Sequence, residues 1–145
     1  MTRARAFAGA PEPTWLSSAV RAGLIVIACS TTLVLASPAP SQLVQRCGWF
    51  DNPTPGNAWL YDRDGEWIIG IQGGHQASGN WPRFASSHWV RTGRGNAGYG
   101  CTCMKVLADA ESHEVARIVS ARALALSVCR TDAAVKDLEP ENPLK

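Results

Sequence analysis

Four cysteines constrain the fold of this chain more than any other feature of its sequence. Cys47, Cys101, Cys103 and Cys129 all follow a short apolar segment near the N-terminus. Disulfides form and persist outside the cytosol, and they stabilise domains that are too small to bury a large hydrophobic core. The sequence therefore predicts an exported chain that folds as one small domain with two disulfides.

The apolar segment, residues 22–36, predicts a cleaved signal peptide. It is shorter than the roughly 20 apolar residues that a membrane-spanning helix needs. It suits the apolar core of a leader, which covers about 7–15 residues. Cleavage after Ala36 is the favoured outcome, and no membrane span then remains. Two alternatives stay open: lipidation at Cys29, which ends a lipobox-like string VIAC, and a retained anchor.

The chain then divides into a signal peptide (1–36), a proline-containing spacer (37–45), a single disulfide-bonded domain (46–138) and a polar tail (139–145). The leader carries three of the 14 basic residues and one of the 12 acidic residues, so the mature chain is close to neutral. Because a nucleic-acid-binding domain needs a basic surplus, nucleic acid is excluded as a partner.

Two β-hairpins are predicted. Aromatic and β-branched residues at 58–61 and 66–72 flank an Asp-Gly turn at 62–65, which is a strong hairpin signal. A second hairpin is expected around a turn at 109–113, although the alanines of residues 105–130 also favour a helix. The second hairpin is preferred because it places Cys101 and Cys103 on one face of a sheet.

A short helix that carries Cys129 is expected at 123–135, and residues 77–94 are expected to form a loop. The predicted fold class is mainly β, with an α+β arrangement as the alternative. It is a small antiparallel sheet domain with long loops, a short C-terminal helix and two disulfides.

The disulfide pairing is only partly determined by the sequence. In a strand, the sulfurs of Cys101 and Cys103 would lie about 6–7 Å apart along one face, which disfavours a bond between them. Cys47 is then expected to pair with one of the two and Cys129 with the other. The preferred pairing is Cys47–Cys101 with Cys103–Cys129. No cofactor is predicted, but Cys101, Cys103 and His75 form an alternative copper or zinc ligand set.

Five of the six tryptophans lie in the mature chain, and two of them fall in the long loop. Trp81 and Trp89 have Asn80, Arg83 and His88 as neighbours, an environment in which sugar rings could stack on the indoles while polar groups bond their hydroxyls. The competing interpretation is that a small core uses large aromatic rings to bury area. Trp59 and Trp67 are assigned to that core. The candidate ligand-binding residues are Trp81, Trp89, His75 and Asn80.

An acid–base set is the second chemical hypothesis. Asp62, Asp64 and Glu66 could lie near His75 once the hairpin forms, which would suit a hydrolase. The competing interpretation is a solvated hairpin turn beside a histidine. The glycines of residues 70–74 lack the spacing of a nucleotide-binding loop and instead indicate close approach of a strand or a tryptophan ring. We assign no catalytic residues.

Several strings resemble one bacterial family. They are RCGWFDNPTPGNAWL (46–60), DRDGEW (62–67), GIQGGHQ (70–76) and YGCTC (99–103). They are similar to the family catalogued as domain of unknown function 4087, over about residues 45–140. The resemblance implies a small exported bacterial protein with no assigned activity.

The function expected from these features is non-enzymatic. The protein is interpreted as a periplasmic or secreted module that binds a ligand or partner in the cell envelope, such as a glycan or another envelope protein. The alternatives are a small envelope hydrolase that uses His75 with Asp62 or Asp64, and a metal-handling protein that uses Cys101 and Cys103.

Overall fold

The computed structural model describes residues 41–144, which contain seven strands and one short α-helix. The strands are β1 (Gln42–Thr54), β2 (Asn57–Asp62), β3 (Gly65–Gly70), β4 (Ser78–Gly79), β5 (Val90–Arg91), β6 (Gly98–Asp109) and β7 (Glu114–Leu124). Helix α1 (Leu126–Thr131) follows β7, and short 3-10 turns lie at Ser86–His88 and Lys136–Leu138. The predicted mainly β fold class with a short C-terminal helix is confirmed.

Five of the strands form a closed ring. β1 pairs along its length with β6 and, from Gly48 onward, with β2; β2 pairs with β3 and β6 pairs with β7, all antiparallel. The ring closes where β3 meets β7 in parallel, at Ile68 and Glu114. There the Ile68 amide donates a hydrogen bond to the His113 carbonyl (2.8 Å). This is the strand order of a five-stranded Greek-key barrel of the OB type.

Both predicted hairpins are present. β2 and β3 join at the Asp-Gly turn, where Gly65 has a φ of +120°, a conformation that side-chain-bearing residues rarely adopt. β6 and β7 join through the turn at 110–113, where Asp109 Oδ1 accepts a hydrogen bond from the Glu111 amide (2.8 Å). Such local side-chain bonds to the backbone are what make aspartate a turn former.

The barrel interior is the main hydrophobic core. Successive side chains of a strand point to opposite faces, and the inward positions of these strands are almost fully buried. The buried cluster comprises Phe50, Ala58, Leu60, Trp67, Ile69, Ala77, Met104, Val106, Ala108, Val115 and Ile118. Because burial of one large apolar side chain contributes about 1.5–3 kcal/mol, this cluster supplies much of the stability of the fold.

A second, smaller cluster lies outside the barrel, on β1 and β6. Trp49 and Tyr99 pack edge to face with ring centroids 5.7 Å apart, and Cys129 and Val135 pack with them. Trp49 has no exposed surface, and its indole N–H donates a hydrogen bond to the Val135 carbonyl (2.9 Å). The C-terminal segment is thus packed on the barrel wall.

The two disulfides join Cys47 to Cys103 and Cys101 to Cys129. The prediction that each strand-β6 cysteine bonds a different partner is confirmed, but the preferred pairing of Cys47 with Cys101 and of Cys103 with Cys129 is wrong. The register of β1 on β6 is the reason. It sets Cys47 opposite Cys103, with Cα atoms 4.0 Å apart, and it sets Trp49 opposite Cys101. Cys101 therefore bonds Cys129 on α1.

Regular structure begins before the expected start of the domain. β1 starts at Gln42, inside the segment expected to be a spacer (37–45). The predicted signal peptide, including Cys29, lies outside the described residues. Within residues 41–144, no helix is long and apolar enough to cross a membrane.

The C-terminal elements also differ from the expected limits. α1 covers six residues, fewer than the helix predicted at 123–135, because β7 continues to Leu124. Glu139, at the start of the predicted polar tail, accepts hydrogen bonds from the Tyr99 hydroxyl (3.0 Å) and from Arg130 Nη2 (2.6 Å). Burial and the hydrogen bond to Glu139 raise the pKa of Tyr99 to about 12.

Candidate ligand-binding site

The segment between β3 and β6 closes one end of the barrel with aromatic rings. Phe50, an inward residue of β1, lies with its ring centroid 5.9 Å from both Trp81 and Phe84 and 6.4 Å from Trp89. Phe84 and Trp89 are themselves 4.8 Å apart. The four rings form one cluster, in which the loop rings are partly buried against the core. The sequence-predicted pair Trp81 and Trp89 is therefore brought together.

Each of the three loop rings packs against a glycine. A β-carbon at Gly70 would lie 3.0 Å from the Trp81 ring, and one at Gly98 would lie 2.5 Å from the Trp89 ring. At Gly100 it would lie 2.6 Å from the Phe84 ring. All three distances are shorter than β-carbons normally show to other groups. The interpretation that the glycines of 70–74 admit a tryptophan ring thus holds at Gly70. The glycines fix the inner edges of the rings.

The outer parts of these rings line an open groove of about 500 Å³. Its lining residues are Phe50, Asn52, Trp81, Pro82, Arg83, Phe84, Ser86, Trp89 and Asn96. We call this surface the aromatic groove. It has an apolar floor of four rings and a polar rim of amide, hydroxyl and guanidinium groups. Pockets of this size, mostly apolar with a few polar groups, are typical of small-ligand sites.

A second groove, of about 580 Å³, lies beside the first and shares Trp81 and Arg83 with it. Its lining residues are Gly79, Asn80, Trp81, Arg83, Arg117, Ile118, Val119, Ser120 and Ala121. We call this surface the arginine groove. The predicted residue Asn80 lies here rather than in the aromatic groove. Arg117 lies on β7, more than thirty residues after Arg83 in the sequence. The local sequence pattern around Trp81 therefore did not identify it.

His75, the fourth candidate residue, lines neither groove. Its Nε2 donates a hydrogen bond to the Val115 carbonyl (2.9 Å), and its Nδ1 lies 3.8 Å from a carboxylate oxygen of Glu114. Both contacts are with β7. His75 thus attaches the loop after β3 to the barrel wall, and the structure does not bring it together with Trp81 and Trp89.

The carboxylates proposed for hydrolysis have structural partners. Asp62 is buried and accepts hydrogen bonds from Arg46 Nη1 (2.9 Å), the Trp67 indole (3.0 Å) and the Asp64 amide (2.8 Å). Arg46 also bonds Asp64 (2.8 Å). Asp62 and Asp64 therefore pair with Arg46, whereas His75 contacts β7, so the geometry gives no support to the proposed acid–base set.

Arg46 and Trp67 extend this network through their ring faces. The Arg46 guanidinium carbon lies 3.4 Å from the centroid of the Trp67 ring, a cation–π contact. Trp67 also stacks on His113, with centroids 4.6 Å apart and nearly parallel planes. Trp67 is a core residue, as the sequence predicted. We call Arg46, Asp62 and Trp67 the arginine–tryptophan network.

The outer face of β1 and β2 carries a carboxylate with a shifted pKa. Burial raises the pKa of Asp51 from 3.8 to about 6, and a backbone hydrogen bond from Asn52 only partly offsets this. Burial, with the charges of Glu66 and Asp51, also raises the pKa of Tyr61 to about 12. Trp59, expected in the core, is only partly buried on this outer face. Asp51 was not identified from the sequence, since it is placed by the pairing of β1 with β2 and with β6.

The metal-handling alternative is contradicted by the disulfides. Cys101 and Cys103 are bonded to different partners, so neither offers a thiolate to a metal ion. Among residues 41–144, no three His, Cys, Asp or Glu side chains come together in a way that could hold a metal ion.

A family model described as "Protein of unknown function (DUF4087)" matches residues 41–136. The chain belongs to the DUF4087 family. The match starts beside β1 and ends after α1, so it covers the whole barrel and the helix that packs on it. No curated protein and no solved structure matches this DUF4087 chain.

The strings that carried the DUF4087 resemblance have mainly structural roles in this barrel. Residues 46–60 and 62–67 contain the arginine–tryptophan network, and residues 99–103 contain both cysteines of β6. Residues 70–76 contain Gly70, against which Trp81 packs. These four strings therefore contribute mainly to how the barrel is held together. Most residues that line the two grooves lie outside the strings, although they lie within the matched range 41–136.

Proposed function

We propose that this DUF4087 protein is an exported, non-enzymatic binding module whose ligand occupies the aromatic groove. The observation that carries the proposal is the arrangement of Trp81 and Trp89. Their inner edges pack on glycines of the barrel, while the rest of each ring lines an open groove with a polar rim. A site held rigidly before the ligand arrives loses little conformational entropy on binding.

The chemistry of the groove fits a carbohydrate. Flat indole and phenyl faces stack on the C–H faces of sugar rings, and aromatic contacts of this kind bury area without many rotatable bonds. Asn96, Ser86 and Arg83 on the rim offer donors and acceptors for hydroxyl groups. The volume of about 500 Å³ accommodates a ligand of one or two sugar rings.

Export is supported by the two disulfides, which are consistent with an oxidising compartment. The predicted leader ahead of the barrel agrees with this. A non-enzymatic role is supported by the partners of Asp62 and His75, because each is engaged in bonds that hold the barrel together. The proposed location is the periplasm or the extracellular space.

Calorimetric titration with chitotetraose, a neutral oligosaccharide, tests this function. Two variants in the same 3-10 turn provide a matched comparison, because Ser86 lines the aromatic groove and Ser87 does not, and both are exposed. Ser86→Tyr should fill the groove and weaken binding at least about tenfold, a loss of about 1.4 kcal/mol. Ser87→Tyr should leave the affinity unchanged.

The melting temperature of both variants should stay near that of the parent protein, since neither side chain is buried. Equal weakening by the two variants would place the saccharide elsewhere on the protein. The absence of any binding heat with chitotetraose and with an acidic tetrasaccharide would contradict the carbohydrate-binding proposal itself.

A further inference from the structure

The two grooves differ in charge although they share a wall. Trp81 and Arg83 line both grooves, and Arg117 adds a second guanidinium to the arginine groove. Among the residues that the structure describes, no acidic residue lines either groove. Within residues 41–144, neither Arg83 nor Arg117 forms an ion pair. Two unpaired cations thus lie next to the aromatic floor.

The backbone holds the two arginines near each other. Gly79, with a φ of +95°, packs directly against the backbone of Ile118 on β7. The Ser78 hydroxyl donates a hydrogen bond to the Ala116 carbonyl (3.2 Å) in the same contact. β4 therefore runs alongside β7, and the residues that follow β4 start from the strand that carries Arg117. A β-carbon at position 79 would separate these two segments.

The chemistry of this arrangement favours a carboxylate. A guanidinium presents parallel N–H donors that match the two oxygens of a carboxylate, and such charge-assisted bonds are about twice as strong as neutral ones. Asn80 and Ser120 add neutral polar groups to the same groove. Two arginines on a nearly neutral chain fit a short acidic ligand rather than an extended polyanion, which needs many more contacts.

We propose that the arginine groove binds the carboxylate of a saccharide whose sugar ring stacks in the aromatic groove, so that the ligand class is an acidic sugar such as a uronate. This inference rests on the proposed carbohydrate-binding function and specifies its substrate class. Trp81 contacts the ligand from both grooves, while Arg83 and Arg117 select the charged form.

A matched pair of ligands tests the inference: tetragalacturonate and its fully methyl-esterified form, which has the same backbone without the charges. Calorimetric titration at low salt should show the acid binding at least about tenfold more tightly than the ester. The preference should shrink at physiological salt, because the charges are near the surface. Ser86→Tyr should weaken the binding of both ligands.

Three single substitutions remove the same charge at different places. Arg117→Gln and Arg83→Gln should each abolish most of the preference for the acid. Arg122→Gln is the control, because Arg122 is exposed on the same strand as Arg117 and lines neither of the two grooves. It should leave the preference intact, and all three variants should keep the melting temperature of the parent protein.

The possible failures are distinguishable. Equal affinity for acid and ester, with both blocked by Ser86→Tyr, would overturn the acidic-sugar inference while leaving carbohydrate binding in place. A preference for the acid that falls as much in Arg122→Gln as in Arg117→Gln would also overturn the inference. The net charge of the protein, rather than the arginines of the groove, would then cause the preference. Failure of the acid and the ester to bind, with chitotetraose still bound, would overturn the acidic-sugar inference alone. Failure of all three saccharides to bind would remove the inference together with the proposed function.

Discussion

Gly100 on β6 packs so closely against Phe84 that a β-carbon at Gly100 would lie 2.6 Å from ring atom Cε1. The His88 carbonyl oxygen would be 2.7 Å away on the same side. Because one of these neighbours is backbone, the loop cannot adjust by a side-chain rotation alone. The barrel end and the floor of the aromatic groove therefore depend on the absence of a side chain at this position.

Gly100→Ala should displace Phe84 and destabilise the protein by about 1–3 kcal/mol, the usual range for overpacking. Urea unfolding of the disulfide-intact protein measures the change. Gly74→Ala is the matched control, because the nearest atom to its β-carbon would be 3.7 Å away. An unchanged free energy of unfolding in Gly100→Ala would show that the ring is not fixed by this glycine.

Asp51 should make the stability of the protein depend on pH. Its folded-state pKa of about 6 lies above the ordinary value of 3.8, so the folded state binds a proton more tightly than the unfolded state. Stability should therefore fall as pH rises from about 4 to about 6. A two-unit shift corresponds to about 3 kcal/mol, which we discount for partial exposure to about 1–2 kcal/mol.

Asp51→Asn removes this titration. The variant should be more stable than the parent protein by about 1–2 kcal/mol at pH 7 and equal to it near pH 4. Chemical denaturation at the two pH values measures the difference. Asp137→Asn, at a carboxylate that is 81% exposed, serves as control. An Asp51→Asn variant that is less stable at pH 7 would contradict the assignment.

Asp62 should contribute more to stability than any other carboxylate of the hairpin. It accepts bonds from both Arg46 and Trp67 in a buried position. Asp62→Ala therefore leaves an unbonded indole and a largely buried guanidinium whose remaining carboxylate partner, Asp64, is 58% exposed. Losing one partner of a buried ion pair typically costs 3–5 kcal/mol. Asp64→Ala removes the partner that is 58% exposed and should cost less than about 1 kcal/mol. Similar effects in the two variants would be inconsistent with the network described.

The disulfide pairing can be tested by removing cysteines in pairs. Cys47→Ala with Cys103→Ala removes one observed disulfide, and the remaining Cys101–Cys129 bond should form fully, leaving no titratable thiol among residues 41–144. Cys47→Ala with Cys101→Ala leaves Cys103 and Cys129, which should stay as two free thiols. Each lost disulfide should reduce stability by about 2–4 kcal/mol. Complete oxidation of the crossed variant would favour the pairing that the structure rejects.

Local patterns predicted the hairpins and the fold class because these depend on neighbouring residues. The Asp-Gly turn at Gly65 and the aromatic and β-branched residues on either side of it are properties of short segments, and they predicted the right elements. The disulfide pairing depends on the register of β1 on β6, which are about fifty residues apart, and a shift of two residues exchanges Cys101 for Cys103. No local feature sets that register.

The sequence predicted only the part of the candidate site that comes from one short segment of the chain. Trp81 and Trp89 lie in one segment between β3 and β6, so the sequence alone could suggest them as members of one candidate site. Phe50 and Arg117 come from β1 and β7, and only the closed ring brings them to that segment. His75 and Asp62 were expected to lie close together once the hairpin formed, but the topology gives them different partners.

The most direct test of the binding site is a proton–nitrogen NMR titration that follows the indole N–H signals of the protein with chitotetraose and tetragalacturonate. The signals of Trp81 and Trp89 should shift, since both rings line the aromatic groove. Those of Trp49 and Trp67 should not, because their N–H groups are bonded to Val135 and Asp62 inside the protein. Shifts confined to the other indoles, or no shifts at all, would contradict the account.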